Sequence, residues 1–414
     1  MSASLEFSNE YRGAGYRRGD LREINYGAIG YGVGGNGVSA KEGGNTEGQA
    51  DVATFPMVFP MLDGRLAGAE GTGEASGAGR IGWEPPFSWS TIVPSARRQE
   101  SIEGVLLGCA VGEGLGGLSK RWRRDVVRYR GGLRSGYRAD GMIVTIQSLL
   151  LSQAATENFC RNLSRRMGWY RWSMPVRTSM SRWFTRGGFA GNDPLVRAMV
   201  LSVVMQGHHE GILRWVHKST QLTHREELNT QSAFLVATAA QCAQFHGTKY
   251  SAEPAKLLGR LAEATQSREL SERLNALQVR LDRGDELKEV VVSLGVKGGW
   301  RDHLIGNALL GVYVYAKHSE GMLEGMQELL RLPGNLSGVA AIYGGLVAVH
   351  GGCKGIPRGW LEGLSMYPYS DGWVQGYVDR CLDWPHGPED IQDTAALPSY
   401  PIGQFFRNLA RVVS

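Results

Sequence analysis

With 414 residues the chain can hold one large domain or two ordinary ones, and 42% hydrophobic residues supply a substantial buried core. The net charge of +5 permits an anionic ligand without requiring one. Five cysteines, at 109, 160, 242, 353 and 381, contain no CxxC pair, and their odd number suits no closed disulfide framework, so reduced thiols in a cytoplasmic protein are expected.

The first 30 residues are polar and carry acidic side chains, which does not describe a signal peptide. Residues 1–98 mix Gly, Ala, Ser and Glu and show no sustained apolar period. Such a segment buries too little surface to offset its chain entropy, so a disordered Gly-rich tail or linker is predicted. A start codon assigned too far upstream is the alternative. The run GVGGNG, Gly32 to Gly37, touches a phosphate-loop pattern. It lacks the preceding strand, the helix former and the lysine of that motif, and reads as linker.

From Ser101 the character changes. Ile102, Val105, Leu106, Cys109 and Ala110 recur at helical spacing. Ile143 to Leu150, Leu195 to Met205 and the alanine-rich Ser232 to Phe245 continue the pattern. Leu270, Leu274, Leu277 and Leu281 form an amphipathic stripe. Val290 to Leu294, Leu304 to Tyr315, Met322 to Leu332 and Val339 to Val349 follow. The apolar run Leu336 to Val349 is short for a membrane span and broken by glycines, so it reads as a buried helix, and no membrane partner is expected. Strict two-residue alternation is scarce. The predicted class is all-α: a compact multi-helix domain over residues 99–365, then a Tyr-, Pro- and Asp-rich extension, 366–414, with a last amphipathic helix from Ile402 to Val413.

Four segments carry candidate chemistry: EGVLLGCAVGEGLGGLSKRW (103–122), SGYRADGMIVTIQSLL (135–150), GGFAGNDPLVRAMVLSVV (187–204) and LPGNLSGVAAIYGGLVAVHGGCKGIPRGWLEGL (332–364). A shorter one, STQLTHREEL, spans 219–228. In these segments, in their order and in their spacing, the chain resembles the ADP-ribosylglycohydrolase family. GVLLGCAVGEGLG is similar to the family's G-A-L-L-G-L-A-V-G-D-A-L-G opening. GNDPLVR keeps Gly191, Asn192 and Arg197 of its G-N-G-A-A-M-R motif. Thr223 and His224 match its Thr-His pair, and IPRGWLEGL matches its ending.

The resemblance implies an all-helical fold that cleaves the bond between ADP-ribose and an acceptor side chain, using two magnesium ions held by carboxylates and threonine hydroxyls. Hard ions of this kind prefer oxygen ligands, largely ionised carboxylates, and a pair of them orients ribose hydroxyls and an attacking water. Here the pattern departs. A Thr/Ser-Asp-Asp-Thr run has Arg138, Ala139, Asp140 and Gly141 in its place. A G-G-D-x-D-T run has become Pro333, Gly334, Asn335, Leu336, Ser337 and Gly338. Near the place where some relatives carry a functional glutamate stands Lys120, followed by Arg121, Arg123 and Arg124.

The expected protein is therefore an impaired or inactive family member, without metal ligands and with no cofactor expected. Arg138, Asn192, Arg197, Gly334, Asn335 and Ser337 are candidate ligand-binding residues, and ADP-ribose or an ADP-ribosylated protein is the candidate partner. Guanidinium forks suit phosphate oxygens, so Arg138 is expected to meet a pyrophosphate directly. Two alternatives stand. One is a working hydrolase with a rearranged site, using Glu113 and Asp140 as tentative catalytic residues. The other is a structural or partner-binding protein without ligand, as crystallin members of the family imply.

Plainer roles compete with each. Asp140 reads as a helix N-cap rather than a lone ligand. Glu113 reads equally as a hydrogen-bonding group at a crowded helix crossing. His208, His209 and Glu210 read as a surface turn, His224 as orienting a helix start, and His350 as a satisfied core histidine. KRWRRDVVRYR and RRMGWYRW interleave cations with aromatics, as single-stranded nucleic-acid binders do. A solvated face with snorkelling stems is the commoner origin of that pattern, so nucleic acid is not an expected partner.

Overall fold

The computed structural model describes residues 93–384, apart from 130–131, 153–154, 172–192, 206–208, 225, 296–303 and 367–370. The Gly-rich segment up to residue 92, Asn192, His208 and the helix expected over 402–413 lie outside the described residues.

The described chain is mostly helical. In order it forms α1 (Ser95–Gly116), α2 (Lys120–Arg124), β1 (Leu133–Arg134), α3 (Tyr137–Leu150), α4 (Thr156–Arg171), α5 (Asp193–Val204), α6 (His209–Gln221) and α7 (Glu227–Ala252). There follow α8 (Pro254–Ala264), α9 (Arg268–Arg283), α10 (Leu287–Ser293), α11 (Leu304–Lys317), α12 (Met322–Leu330), α13 (Ser337–Gly351), α14 (Arg358–Glu362), β2 (Leu364–Ser365) and α15 (Asp371–Asp383). The strands pair in parallel over two residues, Leu133 with Leu364 and Arg134 with Ser365.

Local chemistry explains several boundaries. Ser267 caps α9 by accepting from the Leu270 amide at 3.4 Å, and Gly284 ends that helix in the left-handed region at φ 71°. Of the predicted leucine stripe on α9, Leu270, Leu274 and Leu277 are buried. Helix α1 begins at Ser95, inside the segment expected to be linker. Its polar first turn is held by Arg98, whose guanidinium donates to the Val204 carbonyl at 2.6 Å, to Leu382 at 3.0 Å and to Cys381 at 3.1 Å. One cation thus caps the C-terminal ends of both α5 and α15, where orphan carbonyls carry partial negative charge. His209 opens α6 rather than lying in a turn. A helix, α15, lies within the Tyr-, Pro- and Asp-rich stretch that follows residue 365.

The core centres on α1 and α13. Every residue of α13 from Ser337 to Val349 is buried. Among the described residues no helix is long and apolar enough to cross a membrane. The helices run antiparallel, with Gly104, Gly108, Gly112 and Gly116 of α1 facing Ala348, Gly344, Ala340 and Ser337 of α13. A Cβ at Gly108 would collide with the Gly344 carbonyl, and one at Gly112 with the Ala340 carbonyl. The glycines let the two backbones touch. This contact brings the end of α1 against the start of α13, beside the start of α3, and so assembles the candidate site.

Candidate functional site

The site is built where three helix termini meet. Glu113, in the last turn of α1, is 4% exposed and points at the first turn of α3. Its Oε2 accepts from the amides of Gly136 at 3.0 Å and Ala139 at 3.1 Å. Its Oε1 accepts from the Arg138 amide at 3.2 Å and from Arg138 Nη1 at 3.1 Å. A carboxylate offers about four lone-pair sites, and four N–H donors take them. Glu113 therefore satisfies the orphan donors at the start of α3 from another helix, and its negative charge suits that helix terminus. A Cβ on Gly136 would collide with the carboxylate and push Glu113 off these donors.

Arg138 is 1% exposed. Besides Glu113, its Nη1 donates to Ser337 Oγ at 3.0 Å. The guanidinium also lies over the Tyr137 ring, 4.4 Å from its centroid. Ser337 Oγ in turn donates to Asn335 Oδ1 at 2.8 Å, and the Ser337 amide reaches the same oxygen at 3.1 Å. A single chain of hydrogen bonds thus runs Glu113–Arg138–Ser337–Asn335, from the interior to the exposed Asn335 at the rim. The adjoining Gly334 adopts φ 93°, which favours glycine. Its carbonyl accepts from Arg123 Nη1 at 2.6 Å, tying α2 to this rim.

The structure brings Glu113, Arg138, Ser337 and Asn335 together, with Gly334 beside them. Asp140 is buried in the first turn of α3, with 1% exposure. It is not the N-cap. That position is Gly136, and the capping oxygens come from Glu113. Arg138 is not poised for solvent, as the expectation of a direct pyrophosphate contact assumed, because its charge is turned inward onto Glu113.

Arg197 sits elsewhere in the fold. Wholly buried on α5, it donates through Nε to Ser219 Oγ at 3.1 Å, and through Nη2 to the Ser219 carbonyl at 2.9 Å and Thr223 Oγ1 at 2.8 Å. Thr223 Oγ1 lies 2.9 Å from His224 Nδ1. Arg197 and the Thr-His pair therefore form one tie between α5 and the end of α6, just before α7 begins. His350 lies half-buried at the end of α13 rather than in the core, and burial pushes its pKa below the usual histidine value.

Sequence reasoning passed over a second polar cluster. Gln147, inside the apolar α3, donates to Tyr377 of α15 at 2.7 Å and accepts from Arg166 of α4 at 2.8 Å. The available signal was a glutamine on a face otherwise filled by Ile and Leu. The thiols of Cys109 and Cys242 are pushed well up by burial, so neither is an ionised nucleophile. Among the described residues no three His, Cys, Asp or Glu side chains converge as a metal-binding group.

Comparison with curated proteins gives no match. Comparison with protein families matches residues 94–389 to ADP-ribosylglycohydrolase. That span covers α1 to α15 and well over half of the sequence. The chain belongs to the ADP-ribosylglycohydrolase family.

Proposed function

We propose that this protein keeps the ADP-ribosylglycohydrolase scaffold but has exchanged its two-metal hydrolytic centre for a fixed guanidinium, and that it binds an ADP-ribose-like ligand without cleaving it. The observation that carries this reading is the position of Arg138 Nη1, shared between Glu113 Oε1 and Ser337 Oγ. It joins the two segments that align with the family's ligand motifs.

The donors present do not fit magnesium. That ion demands six hard oxygens in near-octahedral array, with carboxylates to balance its charge. Asn335 and Ser337 are neutral and bonded to each other. Glu113 has both oxygens occupied by N–H donors. A guanidinium between these groups repels a dication, at an energy of roughly several kcal/mol even in a moderately polar interior. The same occupancy argues against Glu113 as the base of a rearranged hydrolase, because it must release a donor before it can take a proton from water. A ligand phosphate approaching from the rim meets the Asn335 amide, with the Glu113–Arg138 pair behind it.

Calorimetric titration of the purified chain with ADP-ribose, with and without millimolar Mg²⁺, tests the proposal together with a turnover assay on ADP-ribosylated arginine and serine substrates. Binding that ignores Mg²⁺, with no ADP-ribose released, is the expected result. Released ADP-ribose, or a rise in melting temperature on adding Mg²⁺, overturns it. Absence of any binding leaves the ligand-free structural role in its place.

A further inference from the structure

We infer that α2 and the turn after it form a docking surface for single-stranded nucleic acid. From Lys120 to Arg128 the sequence carries five Lys and Arg residues against one acid, Asp125.

The structure leaves this stretch open to solvent rather than laid over the core. Snorkelling arginines lay their aliphatic stems over buried apolar surface. Helix α2 buries none of its five residues. Lys120, Arg121, Arg124 and Arg128 are exposed, and Trp122 is 46% exposed, a high value for an indole. Asp125 approaches Arg128 only at 3.8 Å, with both side chains largely in solvent, so it neutralises little.

The aromatic component is arranged rather than loose. Tyr129, itself nearly buried, meets the Trp122 ring edge-on at 5.5 Å between centroids. The Arg121 guanidinium lies 5.7 Å from the Trp122 centroid. Arg123 fixes the helix to the Gly334 carbonyl. An oriented, accessible indole flanked by exposed cations matches what an unpaired base and its flanking phosphates require. The ring takes the base by stacking and the guanidiniums take the phosphate oxygens. Duplex nucleic acid offers no free base face to such a ring, and a polyanion without bases uses only the cations.

The test is fluorescence anisotropy of the full chain with a labelled 12-nucleotide single-stranded RNA. Neutralising about four phosphates predicts a salt slope near −3, so affinity falls about 50-fold between 50 and 200 mM salt. Trp122→Ala is expected to weaken binding by roughly 5- to 160-fold, the range for loss of one stacked base, and Trp122→Phe to recover most of it. Arg121→Ala/Arg124→Ala/Arg128→Ala should flatten the slope to that of about one contact. The arginine positions are exposed, so those substitutions are expected to leave the melting temperature unchanged, and Trp122→Phe, which keeps a ring against Tyr129, separates lost contact from lost fold. No binding at 50 mM salt overturns the inference. So does binding that Trp122→Ala leaves unaltered and heparin matches, since that describes a base-blind polyanion surface.

Discussion

The Arg138 guanidinium and the Ser337 hydroxyl meet at 3.0 Å, across 199 residues of sequence, and Glu113 shares the same nitrogen at 3.1 Å. The geometry makes Arg138 a strut between α3 and the start of α13. A buried ion pair is weak evidence of net stabilisation, but removing one partner leaves a charge without compensation. Arg138→Met is therefore expected to cost about 3–5 kcal/mol in urea unfolding. The double variant Glu113→Gln/Arg138→Met should lose less than the sum of the two single losses. Additivity within about 0.5 kcal/mol, the figure for independent sites, would show that the pair is not coupled.

Arg98 presents a simpler case. Three carbonyls at two helix ends depend on one guanidinium, whose pKa burial lowers from its usual value. Arg98→Ala leaves those acceptors without this donor, and a loss of about 2–3 kcal/mol is expected. Hydrogen exchange provides the local readout. Amides of α15 should lose protection before those of α13, because α15 is anchored through this contact. Equal protection loss throughout the domain would assign the effect to global unfolding instead.

How far the sequence anticipates this arrangement depends on the range of the interaction. Helices α1, α3, α5, α11 and α13 are legible because their apolar residues are dense and keep one period. Among the described side chains of helix α4, Phe159, Leu163 and Met167 enter the core at four-residue spacing within a charged stretch, and the sparse signal is easily missed. The motif positions around Asp140 and Asn335 are legible as departures from a family pattern. The role of Glu113 is legible only in outline, as a hydrogen-bonding group at a helix crossing. It caps a helix that starts 24 residues later, and propensity carries no information about which distant carboxylate will face a helix terminus. Gly136 offers a hint only once the carboxylate above it is seen.

The α1–α13 contact yields a steric prediction. Gly108→Ala places a methyl group against the Gly344 carbonyl and the Ala348 side chain, both in fully buried positions. Backbone carbonyls cannot rotate aside as a long side chain does, so the helices must separate. Overpacking of this kind costs roughly 1–3 kcal/mol and occasionally more. Gly372→Ala on α15, where an added Cβ meets nothing within 4 Å, is the matched control and should be neutral or slightly stabilising through helix propensity. Thermal melts of the two variants compare the effects directly. Equal melting temperatures would mean the α1–α13 interface has slack.

Acid sensitivity should appear at the junction of α11 and α12. Glu328 Oε2 lies 2.6 Å from His318 Nε2, and Oε1 accepts from Lys317 Nζ at 2.8 Å. The His318 hydrogen bond first, and Lys317 with it, holds the Glu328 carboxyl down to about 2, against an opposing push from burial. A carboxyl depressed in the folded state contributes stability that is fully present above its ordinary value of 4.5 and is lost as pH falls toward 2. Because the group is partly open to solvent, screening keeps that contribution near the surface-pair range of about 0–1 kcal/mol. Glu328→Gln is expected to flatten the stability curve between about pH 4.5 and pH 2 relative to the unaltered protein, with a small loss at pH 7. Urea midpoints measured at intervals across that window carry the test. Parallel acid limbs for the two proteins would show that other carboxylates set the acid response, and that the contact with His318 and Lys317 contributes no measurable linkage.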